Sequence, residues 1–260
     1  MMPLTSNVAR RMFFTPLLLA GCVSLPELRE EILPAGAFIE PLKKREAEIA
    51  SLKALAEVRI QVRGREQRLL EAALLVPPSR LRLEALGLLG TALVLATDGE
   101  RLYAHSLLSK EFVTAKATAE HLFALTGIRI PPPYLIRTLT GLPPLFAKAE
   151  TLAFLPGAGE YRMETQEGLF LQKLWLKDRP FIDRGELYWA DELVLRFRFE
   201  DMRSVNGVVF PHRIAFEQPE EGLHVEVRYL TLELNASIPP ASFDLPFPQD
   251  GETRIIELKD

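Results

Sequence analysis

From Val58 to Tyr229 much of the chain alternates apolar and polar residues with a period of two. That limits it to antiparallel sheet with one apolar face. Val58, Ile60 and Val62 alternate with Arg59, Gln61 and Arg63. Gly64-Arg65-Glu66-Gln67 reads as a hairpin turn, and Leu70, Ala72, Leu74 and Val76 read as the apolar phase of the return strand. Pro77-Pro78-Ser79 breaks the run, Leu81 and Leu83 resume it, and a loop bounded by glycines follows at Gly87-Leu88-Leu89-Gly90. Further strands are predicted over residues 91–97 and 101–106, with a turn at Asp98-Gly99.

The period changes to 3.6 in three places. Residues 41–56 place Leu42, Ile49, Leu52 and Leu55 near one stripe, with Pro41 suited to a first turn, which predicts a helix. Residues 117–125 and 133–140 predict two short helices, and Gly141-Leu142-Pro143-Pro144 ends the second. From about residue 148 the chain again reads as strand. Leu193, Leu195, Phe197 and Phe199 keep one phase, as do Val208, Phe210, Ile214 and Phe216. After Tyr229 the apolar phase flips to Leu230, Leu232 and Leu234, which predicts a bulge or a strand that bends between walls.

The expected class is mainly β with α, with about eleven strands in one curved antiparallel sheet and a helical insertion, in a single domain over residues 41–260. Such a sheet must cover something with its apolar face. Three short helices cannot fill it, so a cavity lined by Leu, Phe and Val is expected. Pattern alone does not separate that cavity from a packed core made by the same residues.

The first residues carry a secretory signal over residues 1–21. Arg10 and Arg11 supply positive charge, residues 12–20 form the apolar stretch, and Leu19-Ala20-Gly21 precedes Cys22. The stretch is shorter than the roughly 20 residues a spanning helix needs. Leu-Ala-Gly-Cys resembles the lipobox of bacterial lipoproteins, and Cys22 is the only cysteine. The resemblance implies cleavage before Cys22, an S-diacylglycerol and an N-acyl group on it, and no other cofactor. The bland alternative is an ordinary buried cysteine. Residues 22–40, with Pro26, Pro34 and Gly36, read as a tether between lipid and domain.

The 31 basic and 35 acidic residues give a net charge of −4 without a basic tract, which argues against nucleic acid as a partner. His105, His121, His212 and His224 lie too far apart in sequence for a metal-ligand motif, and no nucleophile elbow or phosphate loop is present. No catalytic or metal-binding residue is expected, and the chain reads as a non-enzyme.

A lipobox, one helix, a meander, two central helices and a second meander together resemble the LolA/LolB lipoprotein-localisation superfamily. Within it, Leu125-Thr126-Gly127-Ile128-Arg129-Ile130-Pro131 followed by Leu139-Thr140-Gly141-Leu142-Pro143 is similar to the helix-loop-helix of the LolB-like outer-membrane receptors. Arg82-Leu83 followed by Gly87-Leu88-Leu89-Gly90 is similar to their membrane-insertion loop. The resemblance implies an unclosed antiparallel β-barrel with a helical lid over a hydrophobic cavity. The cavity would receive lipoprotein acyl chains from a periplasmic carrier. Leu88 and Leu89 would then enter the bilayer, the alternative being that they pack back onto the lid. Phe123, Leu135, Ile136 and Leu139 would face Val58, Ile60, Leu83, Leu95, Leu195, Phe197 and Phe210 across the cavity. Val23 and Ser24 after Cys22, in place of an aspartate, imply the outer membrane, with a monomeric domain facing the periplasm. Rival roles are a sensor or structural lipoprotein of the same fold, or a carrier of another hydrophobic ligand such as a glycolipid.

Overall fold

The apolar alternation resolves into a single sheet of fifteen strands in the computed structural model, which describes residues 31–32, 36–88, 90–144, 149–155, 160–176 and 181–259. In chain order the first elements are β1 (Glu31–Ile32), α1 (Gly36–Ala47), β2 (Leu52–Val62), β3 (Arg65–Val76), β4 (Arg80–Gly87), β5 (Gly90–Thr97), β6 (Arg101–Ser106) and β7 (Glu111–Lys116). Two helices follow, α2 (Ala119–Thr126) and α3 (Pro132–Leu139). The second meander comprises β8 (Ala149–Leu155), β9 (Glu160–Glu167), β10 (Phe170–Leu176), β11 (Ile182–Trp189), β12 (Glu192–Val205), β13 (Val208–Gln218) and β14 (Leu223–Leu234). A short 3₁₀ turn at Pro240–Phe243 leads to β15 (Arg254–Glu257).

The strand order is linear, from β1 and β8 through β14, then β2 to β7, and last β15. Neighbours are antiparallel except β15 on β7. The two meanders join where β14 pairs with β2, and the end strands do not pair, so the barrel stays unclosed. This order decides where the lid goes. β7 and β8 lie near opposite ends of the sheet, so α2 and α3, which connect them, have to cross its concave face.

Four sequence expectations move. About eleven strands become fifteen, because β7 extends the first meander, the second has seven strands where about six were expected, and the short β1 and β15 pair at the edges. The helix expected over residues 41–56 runs instead over Gly36–Ala47, with Pro41 inside it. Residues 52–56 belong to β2, where Leu52, Ala54, Ala56 and Val58 are buried on one face and Lys53 and Glu57 are exposed. Pairing on both sides, Leu52 with Leu75 and with Leu234, overrides the helical spacing of Leu52 and Leu55. The hairpin turn is tighter and earlier than expected. Arg63 and Gly64 both take positive φ, 47° and 83°, as a two-residue turn of primed type requires.

That turn fixes the register of β3, and the register reverses its expected phase. Val58 pairs with Leu69 and Ala54 with Ala73, so the inward residues are Leu69, Glu71, Ala73 and Leu75 rather than Leu70, Ala72, Leu74 and Val76. Elsewhere the expected phase holds, except at Leu230, which is exposed at the shift in β14. The flip after Tyr229 is a register shift, with Tyr229 opposite Ala56 and Thr231 opposite Leu55.

A candidate hydrophobic-ligand cavity

Between the lid and the first meander lies an apolar cavity of about 250 Å³. Its wall comes from β2 to β6, its far side from Phe216, Val225 and Val227 on β13 and β14, and its roof from Leu125, Ile128, Leu135 and Leu139. On β4 and β6 the short side chains of Ala85 and Ala104 sit among Leu69, Glu71 and Leu83 and leave room between them. Towards the hairpin end the lining reaches Leu93 and Gln67, both exposed.

The roof is held by local caps and by ties to the sheet. Thr118 caps α2, its hydroxyl oxygen accepting from the His121 amide at 3.2 Å. Gly127 ends α2 with a left-handed φ of 76°, donating its amide to the Phe123 carbonyl at 2.7 Å. Pro132 starts α3, where a missing N–H costs nothing. The buried Gln218 of β13 clasps the loop between the helices: it accepts from the Arg129 amide at 2.7 Å and donates to the Arg129 carbonyl at 3.0 Å. Arg137 of α3 donates from Nε to the Pro143 carbonyl at 3.0 Å and pairs through Nη1 with Glu46 of α1, so α1 braces the lid. Tyr229 of β14 donates its hydroxyl to the Leu139 carbonyl at 2.5 Å.

Among the described residues one ionisable side chain lies in the cavity lining. Glu71 occupies the inward phase of β3, opposite Ala56 and Ala85. Removal from water pushes its carboxyl up to about 7. The Tyr229 phenol is also pushed up, first by burial and then by the nearby Glu71. Sequence reading missed Glu71 because the other phase of β3 is equally apolar.

The rim beside the cavity carries exposed leucines on two neighbouring hairpins. Leu88 stands free at the β4–β5 tip, fully exposed, and Leu107 and Leu108 are exposed at the β6–β7 tip. The Leu107 amide donates to the Ala92 carbonyl at 3.0 Å, which ties the second hairpin to the first. Two strand spacings separate the tips, about 10 Å. Among the described residues no three His, Cys, Asp or Glu side chains gather into a metal site, and no helix is long and apolar enough to cross a membrane.

No protein-family model matches the sequence, and no curated protein matches it. Solved structures do match. A domain named for outer-membrane lipoprotein sorting, from Vibrio parahaemolyticus, superposes with a TM-score of 0.55 at 12% identity, covering 81% of this chain and 97% of that one. A LolA superfamily protein from Nitrosomonas europaea gives 0.54 at 14% identity, over 82% and 98%. The fold is that of the LolA superfamily. A DUF1329 family protein from Desulfovibrio piger shares it, with a TM-score of 0.55 at 11% identity over 81% of this chain and 97% of that one.

Placed on this LolA-type barrel, the expected site residues divide. Val58, Ile60, Leu83, Leu95, Leu135 and Leu139 line the cavity together. Ile136, Leu195, Phe197 and Phe210 do not line it; they are fully buried in the packed core. Phe123 does not line it either. Its ring lies under the Arg129 guanidinium, 4.0 Å from the centroid, and Arg129 pairs outward with Glu221 at 2.6 Å. Cys22 and Leu89 lie outside the described residues.

Proposed function

We propose that this chain is a membrane-anchored lipoprotein that receives the acyl chains of other lipoproteins in its cavity and passes them to the outer membrane, as LolB-like receptors do. The observation that carries the reading is an apolar cavity that reaches a rim bearing Leu88, Leu107 and Leu108. The acyl groups on Cys22 would hold the protein to the outer membrane, with its domain in the periplasm and a soluble carrier as donor. The LolA-type fold and the proteins that share it, one named for lipoprotein sorting, support this class of ligand.

Transfer of this kind needs no fuel. Each buried methylene contributes about 0.8 kcal/mol, so a site that buries two more than its predecessor biases the exchange roughly tenfold. Exposed leucines at a rim cost solubility unless a surface receives them.

The test is reconstituted transfer of an acylated lipoprotein from carrier to vesicles. The lipidated protein is expected to speed it, and the Leu88→Glu, Leu108→Glu double variant to load cargo yet fail to deliver. Delivery at the wild-type rate by that variant would count against the rim, and failure of the wild type to load cargo would count against the function.

A further inference from the structure

Among the described residues Glu71 is the one acid in a cavity wall otherwise lined by hydrocarbon, Gln67 and Thr126. The local donors are already used. Tyr229 has one hydroxyl proton and gives it to the Leu139 carbonyl. Thr126 gives its own to the Leu122 carbonyl at 2.7 Å. Gln67 sits two inward positions nearer the hairpin end, about 13 Å along the strand from Glu71. Among the described residues nothing donates to the Glu71 carboxylate, and its cross-strand partners are alanines.

A carboxylate in such a place is an acceptor waiting for a donor. A purely hydrocarbon ligand would leave it desolvated and unpaired, which is unfavourable. An anionic ligand would add like-charge repulsion. A ligand with an N–H beside its chains would satisfy it through a charge-assisted hydrogen bond.

We propose that the cavity selects amphiphiles carrying an amide or ammonium N–H next to their hydrocarbon chains, and that Glu71 accepts the hydrogen bond from that group. The inference rests on the acyl-chain reading above and narrows it. An acylated amino-terminal cysteine carries such an N–H at the root of its chains, whereas a fatty acid does not. Glu71 thus sorts ligands by the group at the chain root, and the hydrocarbon wall supplies affinity without sorting.

The test uses three probes of equal chain length, an alkylammonium, an N-alkyl acetamide and an alkyl carboxylate, each displacing a fluorescent acyl probe at pH 8. The proteins are the wild type, Glu71→Gln and Glu71→Leu, each checked for folding by circular dichroism. The wild type is expected to bind the two N–H probes at least about tenfold more tightly than the carboxylate. Glu71→Gln should lose most of that preference, and Glu71→Leu should bind the alkyl carboxylate more tightly than the wild type does. Equal binding of all three probes by the wild type, or an unchanged preference in Glu71→Gln, overturns the sorting role while leaving the cavity as an acyl site. Absence of binding by any probe to the wild type overturns the acyl-chain reading as well.

Discussion

The wall formed by β3 to β6 and the wall formed by β11 to β13 follow the same alternation, yet one encloses space and the other is solid. The first mixes long and short side chains at the cavity, Leu69, Glu71, Leu83 and Leu95 beside Ala85 and Ala104. The second points Leu187, Leu195, Phe197, Phe199, Phe210 and Ile214 inward, all buried. Its rings pack together, Phe197 with Phe199 at 5.0 Å, and Phe210 packs on Tyr229 of the adjoining β14 at 5.7 Å, between centroids. Gly185 on the neighbouring strand makes room, because a Cβ there would overlap the Phe197 ring and Leu174. Alternation decides which residues face inward. Aromatic rings then fill the second wall, whereas on the first Ala85 and Ala104 leave room between the aliphatic side chains.

The comparison can be broken at its solid wall first. Phe197→Ala should cost about 3–5 kcal/mol in denaturant unfolding, the usual result for a large ring removed from a packed core. A loss below 1 kcal/mol, on the order of a surface substitution, would show that the second wall is not packed as described.

The cavity wall should respond with the opposite sign. The Glu71 carboxyl is raised from 4.5 to about 7, so the folded protein holds a proton there that the unfolded chain releases. Stability should therefore fall as pH rises between those values and level off above the upper one. Glu71→Gln removes the effect. The variant should gain on the wild type with rising pH, by an upper bound of about 3 kcal/mol at pH 8. A difference that stays flat across this range would mean that the carboxyl is well solvated. The groups nearest it are the Tyr229 phenol, neutral throughout, and uncharged lining residues.

Filling the open space should stabilise modestly and abolish binding. Ala85→Leu is expected to raise stability by about 0.5–2 kcal/mol, as cavity-filling changes do, while acyl-probe affinity drops. Unchanged affinity would move the ligand elsewhere. The smallest effect on folding belongs to the rim: Leu88→Glu with Leu108→Glu should change stability by no more than about 0.5 kcal/mol, and vesicle binding of the unlipidated domain should fall.

Much of the fold was legible in the sequence because the phase is strong where one face is apolar and the other charged. Leu195, Phe197 and Phe199 against Arg196 and Arg198 leave no second reading, and the phase flip at Tyr229 located the register shift in β14. Legibility failed where both faces are apolar or small. In β3 the residues Leu69, Leu70, Ala72, Ala73, Leu74 and Leu75 fit either phase, and only a turn at Arg63-Gly64 and pairing with β2 choose one. Glu71 went unread for that reason. Leu52 and Leu55 suited a helix as well as a strand until their neighbours were known. Among the expected lining residues, those on β2, β4, β5 and α3 that face the first meander's interior reached the cavity, and Leu195, Phe197 and Phe210 went into core. That outcome depends on the facing wall, which spacing along one strand does not record.

The most direct test is the mass of the intact protein, released gently from its own membranes and measured under non-denaturing conditions, beside Ala85→Leu. The account predicts that the wild type carries a noncovalent acyl-bearing ligand in addition to its own modified cysteine, and that the filled variant does not. A wild-type protein without any such ligand, and unable to take one up from added acylated peptide, would contradict it.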